Sequence, residues 1–289
     1  MNILYRFCCF LGVHLPLFVS YFIARRIAEI KYFFFFSLRK TIKKNLEIVL
    51  RYKAEQLNEK FDYLLLRKTV KNNYYNFARY MADFFNIPKW DKTRIEKKVI
   101  IENMNYLNEA LSYGKGVIVI TAHLGNWDLA GIITSLIGYK VNAIAIPYKS
   151  PTITKIYKEK RESKGVKVIL TGSNPKHILK IIKNNEIIAI LGDRIFTEKG
   201  INVKFMGRET LLPRGPVTLS VTTGAKIMAG FLIIEKDKYK LYFRKMFETE
   251  ENLSKEEKIS FLMEQEIKIL EEEIMKYPDQ WFNYSPMWE

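Results

Sequence analysis

The chain has 289 residues, enough for one large domain or two small ones, and 48% of them are hydrophobic, so a sizeable core is available. The formal net charge of +16 favours an acidic partner such as phospholipid head groups, an acidic protein or nucleic acid, although it says nothing about the fold. The two cysteines, Cys8 and Cys9, are adjacent in an apolar run, which excludes a disulfide framework and a cysteine zinc site.

The N-terminal segment has the composition of a membrane anchor. Residues 7–24 carry no formal charge, and the run is at the lower edge of the length that crosses a bilayer, with Pro16 weakening a spanning helix. The next stretch, KYFFFFSLRKTIKK, mixes phenylalanines with cations and suits the membrane interface. Because the cations follow the apolar run, we expect the main body on the cytoplasmic face of the cell membrane. A buried core helix and a cleaved signal peptide are the alternatives.

Two helices are predicted next, in residues 39–85. The stretches NLEIVL and YYNFARYMADFF place apolar residues at helical spacing, and Pro88 closes the region. We interpret the aromatic stripe as packing rather than as a ligand-binding surface. The chain is expected to divide into a membrane anchor and interfacial segment (1–38), a helical region (39–97) and a catalytic α/β domain (98–289).

From Lys98 onward, short apolar runs alternate with helical patterns. KGVIVIT, VNAIAI, VKVIL and IIAILGD are typical of strands buried on both faces. Helices between them begin at Ser150-Pro151 and Asn174-Pro175. This alternation predicts an α/β fold with a mostly parallel central sheet flanked by helices.

Strands and helices are also predicted in the C-terminal third. INVKFMG is expected to continue the sheet, followed by the helix GPVTLSVTTGA. KIMAGFLII and YKLYFRKM are predicted as further strands, with an antiparallel pairing left open. An amphipathic helix over 256–277 and the aromatic tail YPDQWFNYSPMWE complete the chain.

The stretch TAHLGNWDLAG lies where the first buried strand ends and a helix begins. Ligands of open parallel sheets collect beyond the carboxyl ends of the strands, so His123 is the candidate general base and Asp128 the carboxylate expected to orient it. Gly125 lets backbone approach a ligand, and Asn126 is a plausible N-cap. An H-x4-D pair alone is a weak motif, and a structural histidine at a turn is the alternative interpretation. No metal site, P-loop, dinucleotide fingerprint or serine elbow is recognisable.

AHLGNWD resembles the H-x4-D/E block of the bacterial lipid A late acyltransferases, the lauroyl and myristoyl acyltransferases related to the lysophospholipid acyltransferases. Three other segments resemble the family too, so that the resemblance covers nearly the whole chain: IPYKSPTITKIYKEKRESKGVKVI, AILGDRIFTEKGINVKFMGRETLLPRGPVTLSVTTGAKI and the tail YPDQWFNYSPMWE. The sequence departs from the family where Asp128 replaces the more frequent Glu, where Arg194 replaces Gln, and where NYSPMW replaces a basic ending.

The resemblance implies a glycerol-phosphate-acyltransferase-like fold and a membrane-bound acyltransferase for lipid A biosynthesis at the inner membrane. It implies that His123 is the base and that Asp128 orients it. The remaining candidates, expected at substrate or at the oxyanion, are Gly125, Asn126, Arg161, Asp193, Arg194, Arg208 and Arg214.

The resemblance further implies that an acyl carrier protein or coenzyme A thioester donates the acyl chain to a lipid A precursor or a related glycolipid, with no metal or other cofactor. An acyltransferase for lysophospholipid or another glycolipid is the enzyme alternative. A basic protein that binds a membrane surface or nucleic acid without catalysis is the other alternative. Nucleic acid is not expected, because the aromatics lie in apolar helices and beside the anchor rather than on a polar strand face.

Overall fold

The computed structural model describes residues 10–195 and 200–288. Helices cover the N-terminal third of this part and continue between the strands. They are α1 (Leu17–Phe34), α2 (Phe36–Gln56), α3 (Tyr63–Phe85), α4 (Lys92–Lys98), α5 (Met104–Ser112), α6 (Trp127–Leu136), α7 (Pro151–Glu162), α8 (Pro175–Lys183), α9 (Gly215–Thr223) and α10 (Lys255–Lys276). Short 3₁₀ helices occupy Ile87–Lys89 and Pro278–Gln280.

Nine strands are present in the described residues. They are β1 (Val99–Glu102), β2 (Val117–Thr121), β3 (Val141–Ala145), β4 (Lys167–Leu170), β5 (Ile187–Leu191), β6 (Ile201–Phe205), β7 (Arg208–Leu212), β8 (Lys226–Glu235) and β9 (Lys238–Met246). Seven of them form one sheet in the order β1-β9-β8-β2-β5-β3-β4. Every pairing in it is parallel except β8–β9, which is an antiparallel hairpin. The predicted α/β fold with a mostly parallel sheet is confirmed.

The central strand β2 is buried on both faces, as its continuous apolar run predicts. Ile118 and Ile120 belong to one hydrophobic cluster, whereas Val117 and Val119 belong to a second cluster on the opposite face. Strand side chains alternate between faces, so one strand contributes to both layers of core. This position puts the C-terminal end of β2 in the middle of the sheet edge.

One sequence prediction needs correction, and three short elements were missed. INVKFMG does not continue the main sheet, since β6 pairs only with β7 in a separate antiparallel hairpin. Strand β1 and helices α4 and α5 were not predicted, because they are short and their apolar residues are too few to establish a period.

The N-terminal region forms helices that pack on the body of the protein. Residues 7–9 of the predicted anchor lie outside the described residues, residues 10–14 are helical, and Pro16 precedes α1. Within 10–195 and 200–288, no helix combines the length and apolar character needed to cross a bilayer. Helix α1 buries Ala28 and leaves many large apolar side chains exposed. Attachment to the membrane interface through this helix stays a prediction. The exposed side chains are Phe18, Phe22, Ile23, Ile27, Ile30, Phe33 and Phe34, followed by Phe35 and Phe36.

Candidate active site

His123 follows β2 by two residues and is buried, with 6% of its surface exposed. The C-terminal tail fixes this turn, because the backbone N–H of Phe282 donates to the carbonyl of His123 at 2.7 Å. Gly125 has φ +64°, and a Cβ there would lie 2.0 Å from the carbonyl oxygen of Leu232. Glycine is therefore required by the close approach of the turn to β8.

A buried carboxylate holds the imidazole ring. Nδ1 of His123 is 2.8 Å from Oδ1 of Asp193, and Oδ2 of the same carboxylate accepts from the indole N–H of Trp281 at 2.9 Å. Burial alone raises the pKa of Asp193, but the neighbouring His123, Arg194 and Trp281 outweigh burial and lower it to about 2. An ionised carboxylate only accepts, so Nδ1 carries the donated proton and Nε2 is the basic atom of the ring.

Asp128 belongs to a second buried cluster next to the first. Arg161 Nε donates to its Oδ1 at 2.5 Å, and the hydroxyl of Tyr80 donates to its Oδ2 at 2.7 Å. The side chains of Asp128 and Arg161 are only 4% and 12% exposed. Burial lowers the pKa of Arg161, but the attraction and hydrogen bond of Asp128 raise it overall, so the guanidinium stays charged.

The contacts of these side chains differ from those predicted from the sequence. The prediction gave the task of orienting His123 to Asp128, whereas the carboxylate found on Nδ1 is that of Asp193. The pairing of β2 with β5 explains the arrangement, since Thr121 is opposite Leu191 and each functional residue follows two positions later. Asp193 was a candidate only through the family resemblance, because strand order cannot be deduced from the local pattern.

Aromatic side chains enclose this pair of clusters. The ring of Trp127 meets His123 edge-on at 5.0 Å between centroids and stacks on Tyr80 at 4.4 Å. Phe282 lies 6.0 Å from Tyr80 and 6.2 Å from Trp127. Sequence reasoning missed Tyr80, because an aromatic in an apolar helix has the pattern of a packing residue. The rings give His123 and Asp193 an apolar surround in which a proton transfer is less exposed to water.

The other predicted residues lie at different distances from this centre. Asn126 is buried and caps α6 by accepting from the N–H of Leu129 at 3.0 Å, so it shapes the turn. Arg194 follows Asp193 and contributes positive charge, and burial lowers the pKa of its guanidinium. Arg208 is exposed at the start of β7, and Arg214 forms a surface ion pair with Glu256 at 2.9 Å.

The described residues contain no group of three or more His, Cys, Asp and Glu side chains that could hold a metal ion. What they do place together is a histidine whose basic nitrogen is fixed by a carboxylate. An arginine whose charge is retained belongs to the second cluster, which is linked to the first through the ring of Trp127. That arrangement can accept a proton from a hydroxyl and stabilise a developing negative charge.

Comparison with known proteins assigns the class of chemistry. The protein is an acyltransferase. It belongs to the family of bacterial lipid A biosynthesis acyltransferases, whose sequence profile matches residues 1–289. The family resemblance found in the sequence motifs is thereby confirmed.

Relatives named phosphatidylinositol mannoside acyltransferase match parts of this chain. The protein of Mycolicibacterium smegmatis is 26% identical over 208 residues, which cover 71% of this chain and 67% of the relative. A Mycobacterium tuberculosis protein is 28% identical over 152 residues, which cover 50% of this chain and 48% of the relative. The match therefore spans about half the length of the second relative.

Proposed function

We propose that this acyltransferase moves a fatty acyl chain from a thioester donor to a hydroxyl group of a membrane glycolipid. The observation that carries the proposal is the contact between His123 and Asp193 at the C-terminal edge of the sheet, where ligands of parallel sheets bind. A histidine with one nitrogen committed to a carboxylate is suited to act as a general base on an alcohol.

The proposed reaction balances without a cofactor. Nε2 of His123 takes the proton of the acceptor hydroxyl as its oxygen attacks the thioester carbonyl carbon. The tetrahedral intermediate then expels the thiolate, which recovers the proton from the imidazolium, leaving an ester and a free thiol. Asp193 stabilises the imidazolium between these steps, as a buried carboxylate does for a catalytic histidine.

Arg161 is the proposed contact for the oxyanion. Its Nε is held by Asp128, and the remaining N–H groups of the guanidinium supply donors. A charged donor fixed before the reaction stabilises the transition state without reorganisation. Asp128 and Tyr80 thus contribute by fixing the position of Arg161.

Two names support the proposed acceptor class. The family is named for lipid A biosynthesis, and both relatives are named for phosphatidylinositol mannosides. Each name describes a lipid that carries sugar, so a lipid A precursor or a related glycolipid is the proposed acceptor. A lysophospholipid is the alternative acceptor.

Charge and exposed aromatics support the proposed partners. The net charge of +16 suits an acidic acyl carrier protein as donor, with coenzyme A thioesters as the second donor class. The exposed phenylalanines of α1 suit a bilayer surface. We therefore place the protein on the cytoplasmic face of the inner membrane, attached by its N-terminal region.

The test is acyl transfer by the purified full chain on mixed lipid vesicles. Acyl carrier protein and coenzyme A thioesters are each offered with a lipid A precursor, a phosphatidylinositol mannoside or a lysophospholipid, and products are identified by mass spectrometry. The expected product is an acylated glycolipid that His123→Ala fails to form. Transfer only to lysophospholipid would contradict the proposed glycolipid acceptor. A product yield from His123→Ala equal to that of the wild type would contradict the proposed mechanism.

A second measurement identifies the natural acceptor. Membrane lipids from cells with and without the gene are compared by mass spectrometry. A glycolipid that lacks one acyl chain in the absence of the gene is expected. An unchanged glycolipid profile together with altered phospholipids would contradict the proposal.

A further inference from the structure

Near the end of α3 lies a buried carboxyl group that the proposed reaction does not use. Asp83 has no exposed surface. Its Oδ1 accepts from the hydroxyl of Tyr21 at 2.6 Å, and its Oδ2 accepts from the hydroxyl of Tyr239. Arg79 donates in turn to Tyr239 at 3.2 Å. One carboxyl group therefore ties together α1, α3 and β9.

The same carboxyl group reaches the catalytic turn. The side-chain N–H₂ of Asn126 lies 3.5 Å from Oδ2 of Asp83, and Oδ1 of Asn126 accepts from the N–H of Leu129. Donors converge on both oxygens of Asp83; burial raises the pKa of this carboxyl group, and the hydrogen bonds from Tyr21 and Tyr239 oppose that rise. Because Oδ2 of Asp83 accepts from the amide nitrogen of Asn126, the amide oxygen of Asn126 is directed at α6. Asp83 therefore fixes the orientation of the N-cap.

The cap matters because it lies between the two catalytic clusters. Asn126 follows Gly125 in the turn that carries His123, and it begins α6, whose first turn carries Asp128. Loss of an N-cap loosens the first turn of a helix. A small displacement there changes the position of Asp128 and, through it, of Arg161.

The other end of the connection is the helix with the exposed aromatic face. Tyr21 lies on α1 between Phe18 and Phe22, whose side chains are 74% and 62% exposed. Tyr21 is partly buried and directed at Asp83, whereas these neighbours face outward. A movement of α1 relative to α3 therefore changes the length of this hydrogen bond.

We propose that Asp83 is a positioning residue through which the docking of α1 on α3 sets the geometry of the Asn126 turn. Acyl transfer is then fastest when α1 is seated, and weakening the contact between Tyr21 and Asp83 slows the reaction without removing a catalytic group. The effect on catalysis rests on the proposed function. The effect on the turn is independent of it.

Tyr21→Phe and Asp83→Asn are the test variants, and Tyr75→Phe is the matched control. Tyr75 also joins α3 to α1, by donating to Glu29 at 3.3 Å. Within the described part of the chain, its ring contacts are with Arg25 and Lys71 rather than with the Asn126 turn. The full-length variants are compared in single-turnover acyl transfer at a temperature well below unfolding. We expect kcat to fall about threefold for Tyr21→Phe and about tenfold for Asp83→Asn, within the range of mutations that modulate coupling. The KM of both variants should stay near the wild-type value, and Tyr75→Phe should have the kcat of the wild type.

Asn126→Ala completes a double-mutant cycle. If Asp83 acts through the cap, Asp83→Asn adds little to the loss of kcat already caused by Asn126→Ala. Full multiplication of the two losses would overturn the proposed route. A loss of kcat in Tyr75→Phe equal to that in Tyr21→Phe would also overturn it, because helix contact in general would then be responsible.

Hydrogen exchange separates this inference from the proposed function. Mass spectrometry of peptides covering residues 124–130 is expected to show faster exchange at Leu129 in Tyr21→Phe and Asp83→Asn, and wild-type exchange in Tyr75→Phe. Unchanged exchange in both test variants would overturn the inference even where acyl transfer is observed. Faster exchange in a protein with no acyl transfer would instead retain the connection and remove the proposed function.

Discussion

Nδ1 of His123 and Oδ1 of Asp193 lie 2.8 Å apart, although the two residues are separated by 70 positions in the sequence. Parallel pairing of β2 with β5 creates this contact, because both side chains extend beyond strands that end side by side. The carboxylate therefore fixes which ring nitrogen is basic.

His123→Ala should lower kcat by roughly 10²–10⁴, the range for loss of a positioned general base. The matched control is His177→Ala, an exposed histidine on α8. Single-turnover acyl transfer measures the rate, and thermal melting shows whether each variant is folded. A rate near wild type for a folded His123→Ala would leave His123 as a structural turn residue.

Asp193→Asn keeps the size of the side chain but allows the wrong imidazole tautomer. We expect kcat to fall by at least about 10², and the double variant with His123→Ala to be little slower than His123→Ala alone, because the carboxylate acts through the ring. Multiplicative losses in the double variant would give Asp193 a role independent of His123. Kinetics of the two single variants and the double variant decide between these outcomes.

The pKa of Asp193 also makes a prediction about stability. Because its folded-state pKa is lowered from 3.8 to about 2, the ionised form stabilises the fold at pH values above about 4, and this contribution is lost as pH falls toward 2. Its size is about 2 kcal/mol at neutral pH. The difference in unfolding free energy between wild type and Asp193→Asn should therefore shrink as pH falls from 6 to about 2. A difference that is constant with pH would contradict an ionised Asp193.

How much of this site could be predicted from sequence depends on the residue. His123 and Gly125 were found from the turn itself, since a strand, a glycine and a helix start are local signals. The contact of Asp193 with His123 required the order β2-β5-β3, which depends on how nonadjacent strands associate. Tyr80 and Trp281 reach the site from distant parts of the chain, and their hydrogen bonds to Asp128 and Asp193 depend on packing that a local pattern does not show.

The same distinction applies to the fold. The long apolar runs of β2 and β5 predicted buried parallel strands, because period and burial agree there. The sequence of β6 alternates apolar residues with Asn202 and Lys204, and this alternation of partly buried and exposed residues belongs to a hairpin outside the main sheet. Residue pattern indicates that a strand forms, whereas the sheet it joins is set by long-range contacts.

Asp128 should matter through Arg161. Asp128→Asn leaves the buried guanidinium without its counter-charge, and breaking a buried ion pair costs about 3–5 kcal/mol. We expect a lower melting temperature together with a lower kcat, while Asp128→Glu retains appreciable activity. Glu159→Gln is the matched control, because it breaks an exposed ion pair with Lys155 on α7, the helix that also carries Arg161. Unchanged melting of Asp128→Asn would contradict the importance of the ion pair.

Glu266 offers a test of a buried acid beside the site. It is 1% exposed, and neither carboxyl oxygen has a hydrogen-bond partner among residues 10–195 and 200–288. Burial, and to a smaller extent repulsion from Asp193, raises its pKa well above 4.5. A raised folded-state pKa contributes stability below the unfolded value, and that contribution is lost as pH rises toward the folded value. Glu266→Leu should therefore raise the melting temperature more at pH 8 than at pH 5. Equal shifts at both pH values would indicate that Glu266 ionises normally in the folded protein.

The exposed face of α1 predicts how the protein meets a bilayer. Phe33 and Phe34 are 58% and 72% exposed, and cations flank them in sequence, so rings can enter the acyl boundary while cations meet phosphates. Replacing both with serine should weaken sedimentation with anionic vesicles. Leu179→Ser is the control, because Leu179 is an exposed apolar residue on α8 rather than on α1.

Salt separates the two contributions to this binding. Charge attraction is screened over about 10 Å at 0.1 M salt, whereas insertion of aromatic rings is not. Wild type should retain part of its vesicle binding at high salt, and the serine variant should lose nearly all of it. If the serine variant binds as tightly as wild type at both salt concentrations, the aromatic face of α1 is not the membrane contact, and attachment then depends on basic residues elsewhere or on the first nine residues of the chain.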